Sequence, residues 1–202
     1  MTIEVNKGSY FYSLLKAHAA QEQGEAPSKY AYYGTPISLL RENITEYIYY
    51  GGREKVNDKI RATISNIAYS IQLLEFYINA KNELYLSFPI EKMLNKEILI
   101  TSFEIQQSLI SIMFEGYYKA QAKLKIGKLR KEERFDKEFI DALENERLER
   151  NRVHLNAKEQ DCVPDYSAFD DVGQVNESIN LLNQLLAKRL KDEEKLVLPN
   201  IE

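Results

Sequence analysis

The residues best suited to chemistry lie in one run, Glu146-Arg147-Leu148-Glu149-Arg150-Asn151-Arg152-Val153-His154. At about 100° per residue, a helix places Arg147, Arg150, Asn151 and His154 within one wedge of about 100°. An imidazole, with an ordinary pKa near about 6.5, passes a proton at neutral pH. A guanidinium fork binds phosphate oxygens and stabilises the charge that builds on them during phosphoryl transfer. An asparagine amide can orient the phosphate or the ring. The set suits cleavage of RNA, with His154 as general acid/base, Arg147 and Arg150 on the scissile phosphate, and no metal. The same residues also fit a non-catalytic reading. Arg147 and Arg150 would pair with Glu146, Glu149 or acids of a neighbouring helix, and His154 would sit where a helix dipole favours it.

Phe139, Ile140 and Leu143 fall on the same wedge one to three turns earlier. The spacing predicts a helix over 135–156 that is apolar at its start, so its polar end lies at the mouth of a groove. Immediately before it, residues 119–131 hold six basic side chains and no acid: Lys119, Lys123, Lys125, Lys128, Arg130 and Lys131. That is either a local footprint for a polyanion such as RNA or a solvated helix end whose cations complement the macrodipole. The whole chain gives no such field. Its 202 residues carry 27 Lys and Arg against 31 Asp and Glu, a net charge of −4. Polyanion binding must therefore come from a patch.

The elements that must position these residues read as helices throughout. Eight Gly and five Pro are too few for a strand-and-turn architecture. Ile60, Ile64, Ile67, Ile71, Leu74 and Ile78 repeat at intervals of four and three, predicting a long core helix with Asp58 as its N-cap and a break at Phe88-Pro89. Thr101 with Glu104 reads as a capping box opening a second helix over 102–126, apolar on two faces and so central or at a subunit interface. Val172, Val175, Ile179, Leu182 and Leu186 predict a last helix over 171–191. Before residue 58, Lys7 to Gln23 reads as a weak helix. Thr35-Pro36 opens another that ends at Gly51-Gly52, with Thr35 as N-cap. Eight tyrosines crowd this block: Tyr10, Tyr12, Tyr30, Tyr32, Tyr33, Tyr47, Tyr49 and Tyr50. The expected fold is all-α: an N-terminal helical extension over 1–57, an antiparallel four-helix bundle core over 58–192, and a frayed tail over 193–202.

Arg-Asn-x-x-His near the end of the penultimate helix of such a bundle resembles the HEPN superfamily. Its all-α domains often carry an Arg-x4–6-His motif, and Arg147 and His154 match that spacing; Arg150 and His154 are closer together than the usual form. Glu75 and Asn79 look like the Glu-x-x-x-Asn of HEPN-like first helices. The resemblance covers 58–192 and implies RNA or nucleotide binding. It also implies a metal-independent endoribonuclease of toxin or defence type, or else a non-catalytic member whose same residues form an interface network. Catalysis needs both an acid and a base, so a homodimer that brings two motif helices together is expected to supply the second histidine; a toxin of this type would have an antitoxin-type protein partner. Glu75 is the expected ion-pair partner of Arg147 or Arg150 across the bundle. With one cysteine, Cys162, and two histidines, the chain offers no disulfide and no Cys- or His-rich metal cluster, so neither metal nor cofactor is expected. No apolar run is long enough to span a bilayer and the start does not read as a secretory leader. The expectation is a cytoplasmic protein with no membrane partner.

Overall fold

The isoleucine stripe forms as its spacing requires. Ile60, Ile64, Ile67, Ile71, Leu74 and Ile78 are all buried on one face of a 26-residue helix, Asp58–Glu83. In the computed structural model, which describes residues 35–50, 56–114, 121–131, 135–152, 171–187 and 197–201, it is the second of six helices. In chain order they are α1 (Ile37–Tyr50), α2 (Asp58–Glu83), α3 (Phe88–Met113), α4 (Ala122–Leu129), α5 (Lys137–Arg152) and α6 (Val172–Ala187). Among the described residues there is no strand, and no helix is long and apolar enough to cross a membrane. The protein is an all-α helical bundle.

Helix α3 is the centre. It packs against each of the other five helices. Its inward side chains, among them Ile98, Ile105, Leu109, Ile110 and Ile112, are fully buried. Both apolar faces of this helix are thus covered within one chain. The α2–α3 hairpin, joined by residues 84–87, is the most extensive contact. Helix α1 is part of the same core, with Leu40 and Ile44 at zero exposure.

Several boundaries differ from the sequence reading. Phe88-Pro89 opens α3 instead of breaking the chain, because proline needs no N–H partner in a first turn. The Thr101/Glu104 pair is therefore mid-helix, not a cap: Thr101 and Ser102 are buried. The expected helix over 102–126 is two helices, α3 ending at Met113 and α4 starting at Ala122. Asn57, not Asp58, caps α2, accepting from the Ile60 N–H at 2.9 Å. Fraying does not reach 197–201, where Leu198 and Ile201 are buried in the core. The expected helix over 7–23 and Cys162 lie outside the described residues, as do Tyr10, Tyr12, Tyr30, Tyr32 and Tyr33.

Candidate functional site

Helix α5 starts on Asp136, whose carboxylate accepts from the Phe139 N–H at 2.7 Å. Phe139, Ile140 and Leu143 then anchor it in the core. Beyond Leu143 the helix turns polar on both sides, and the two sides differ.

On the outer side, Arg147 grips Glu144 with its fork: Nε donates to Oε2 at 2.9 Å and Nη2 to Oε1 at 2.7 Å. Both are partly shielded from solvent. The guanidinium holds the Glu144 carboxyl below its ordinary range, and the nearby charges of Lys123 and Arg130 act in the same direction. Helix α4 packs on α5, which is why cations from both converge on this carboxylate. Arg130 itself reaches Asp141 at 3.1 Å.

The six basic residues of 119–131 thus divide. Lys123, Arg130 and Lys131 are exposed. Lys125 is buried, donates to the Gln107 carbonyl at 3.3 Å, and has its pKa lowered by burial; it braces α4 on α3. Lys128 lies 5.4 Å from the Phe114 ring centroid. Lys119 and His154 lie outside the described residues. Arg150 and Asn151 fall in the last turn of α5.

On the inner side, the Glu146 carboxyl enters the core between α3 and α6. Its Oε1 accepts from Ser178 Oγ and from Gln106 Nε2, the latter at 3.2 Å. Gln106 Nε2 also lies 3.3 Å from Ser102 Oγ and from the Ser178 carbonyl, and Ser102 Oγ donates to that carbonyl at 3.1 Å. Glu146 Oε2 and Gln106 Oε1 are buried with no hydrogen-bond partner among the described residues. Burial raises the Glu146 carboxyl to about 7, against the opposing pull of its two hydrogen bonds. The sequence reading missed this cluster. Ser102 and Gln106, one turn apart within an otherwise apolar face, were its available signal.

Glu75 is not the partner of Arg147. It accepts from the Thr35 N–H at 3.0 Å and from Thr35 Oγ1, while Gln72 Nε2 donates to the Thr35 carbonyl at 3.1 Å. Glu75 therefore ties the start of α1 to α2, and Arg147 is served from its own helix. Asn79, one turn beyond Glu75, is half-buried. A separate cleft between the start of α5 and the length of α6 from Gly173 to Gln184 has Asp136, Glu138 and Glu177 in its lining; its acidity suits no polyanion. No family model, curated protein or solved structure matches the chain.

Proposed function

We propose that this is a HEPN-like helical protein that binds RNA or a nucleotide at the α4–α5 corner and cleaves RNA without a metal. The observation carrying this reading is the convergence of Arg147, Lys123 and Arg130 on Glu144. A carboxylate held by a guanidinium fork among further cations occupies a seat that also fits a phosphate, since both present paired oxygens to the fork. Glu144 keeps Arg147 oriented until a phosphate, carrying more oxygens and spread charge, takes its place. His154 follows Arg147 by seven residues in the sequence, a spacing that would amount to two turns on a helix. It acts as the general acid/base, with Arg150 and Asn151 on the turn between them. The RNA 2′-hydroxyl loses its proton and attacks phosphorus, the bond to the 5′-oxygen breaks, and that oxygen takes up a proton. The products are a cyclic phosphate and a 5′-hydroxyl. One histidine cannot both take and give a proton in a single step, so the catalytic form is a homodimer that unites two motif helices. It works in the cytoplasm and is restrained by an antitoxin-type partner.

The test is cleavage of RNA in excess chelator. Activity should persist, His154→Ala should cost about 10²–10⁴-fold, and Arg147→Lys should fall with it because a point charge cannot replace a fork. Cleavage of DNA, or full activity of His154→Ala, would overturn the mechanism.

A second reading, a non-catalytic interaction module, is favoured by a different observation. Leu84, Tyr85, Phe88, Ile90 and Met93 expose apolar surface around the α2–α3 turn, Tyr85 at 90%. Wild type and His154→Ala equally inert on RNA, with a partner lost on Tyr85→Glu, would favour it.

A further inference from the structure

The core-facing stripe of α5 ends in an acid. Phe139, Leu143 and Glu146 follow one another at intervals of four and three, so Glu146 stands where the stripe calls for a third apolar side chain. Phe139 and Leu143 are buried, as is Ile140 beside them. Beyond Leu143, Asn145 and Leu148 are exposed, and Arg147 turns to Glu144 on the outer face. Among the described side chains of these last two turns, only Glu146 bonds into the core, to Ser178 of α6 and Gln106 of α3. One carboxyl thus does the docking that aliphatic side chains do earlier in the helix.

The cluster around that carboxyl is short of a donor. Ser178 Oγ and Gln106 Nε2 both donate to Glu146 Oε1, and Ser102 Oγ donates to the Ser178 carbonyl. Gln106 Nε2 has its remaining neighbours in Ser102 Oγ and the Ser178 carbonyl. A hydroxyl has one hydrogen to give and a carboxamide two, so every donor is committed. Glu146 Oε2 and Gln106 Oε1 are nonetheless buried without one. A proton on Oε2 removes the buried charge and turns one orphaned acceptor into a donor. A bare carboxylate there holds its charge out of water with one oxygen unserved. We propose that Glu146 is a proton-operated latch: protonated, it docks the end of α5 on α3 and α6, and loss of the proton releases that end together with the Arg147–Glu144 pair it carries. The surroundings act in one direction. Helix α3 presents Ser102 and Gln106, both neutral. Helix α6 presents Ser178 and, beside it, Glu177, whose charge further disfavours the carboxylate. The α4 cations Lys123 and Arg130 act on Glu144, on the opposite face. Burial is the largest cause raising the Glu146 carboxyl to about 7, so the latch holds fully below about 4.5 and weakens as pH rises through about 7. This device does not depend on what the α4–α5 corner binds.

The experiment is amide hydrogen exchange on the full chain, corrected for intrinsic exchange, comparing residues 147–152 at the end of α5 with residues 105–112 of α3. An undocked stretch of two turns is too short to stay helical alone, so its amides open when the latch does. In wild type, 147–152 should be less protected than 105–112 throughout, and its protection should fall at least ~10-fold between about pH 5.5 and about pH 8. Glu146→Gln stays neutral and its amide supplies the missing donor, so its protection should change by less than ~2-fold over the same range. Three results overturn the proposal: wild-type protection that ignores pH, a Glu146→Gln variant that falls as far as wild type, or 147–152 and 105–112 opening together with equal protection. If Glu146→Gln does not fold, Glu146→Leu, which completes the apolar stripe, replaces it with the same expectation. If neither folds, carboxyl carbon-13 NMR of glutamate-labelled wild type decides. A carboxyl titrating at the same midpoint as the loss of protection supports the latch, and the absence of any glutamate titrating above about pH 6 overturns it.

Discussion

Glu144 and Glu146 are two residues apart on α5 and behave as opposites. About 200° of helical rotation separates them. Glu144 faces α4, where Arg147, Lys123 and Arg130 hold its carboxyl down in pKa. Glu146 faces α3 and α6, where burial raises its carboxyl to about 7 and neutral amide and hydroxyl groups are its partners. Residue type thus says little about role on this helix; the face decides. The outer carboxylate is an ion-paired group held among cations at the surface of the bundle. The inner one is a core group that folds most easily with its proton on.

The largest way to break this contrast is to remove what separates the faces. Leu143 is 1% exposed and fixes the rotation of α5. Leu143→Ala should cost about 2–5 kcal/mol in urea unfolding and weaken both clusters together. Next is Glu146→Gln. The raised carboxyl binds its proton more tightly in the folded state than in the unfolded one. Its contribution to stability is fully present below about 4.5 and is lost as pH rises through about 7. Glu146→Gln should therefore recover up to about 3 kcal/mol at pH 8 and flatten the fall in stability between pH 5 and 8; an unchanged pH profile would contradict the buried assignment. Glu144 has the opposite sign, stabilising above about 4.5 and losing that contribution as pH falls. A smaller effect tests the outer face. Gly127 sits inside α4 with nothing within 4 Å of an added Cβ. Gly127→Ala should raise stability by about 0.5–1 kcal/mol and leave RNA affinity unchanged or improved. The smallest effect on stability is that of Glu144→Gln, within about 0.5 kcal/mol by melting, yet it should tighten RNA binding by freeing Arg147.

The helical class and the buried stripe of α2 were legible because isoleucines at intervals of three and four have one physical reading. The start of α3 was not. Proline suits both a break and a first turn, and Thr101 with Glu104 imitates a cap that the buried helix interior has no use for. Within the candidate site, the wedge from Phe139 to Arg147 and its apolar anchor were visible in the spacing. The partners were not: Glu144 pairs with Arg147 inside one helix, whereas Glu75, 72 residues away in sequence, looked as good a partner until Thr35 proved to hold it. The side-chain amides that hold 197–201 were illegible for the same reason. Asn176 and Asn183 are ordinary polar positions until an extended segment lies against them.

The most direct test of the account is the affinity of a labelled single-stranded RNA, measured by fluorescence anisotropy across a salt series, for wild type and for a chain carrying Lys123→Glu and Arg130→Glu. If the α4–α5 corner is the anion seat, the double variant should bind at least ~10-fold more weakly and its salt slope should fall by about 2. Identical affinities and identical slopes, with helicity unchanged, would contradict the account.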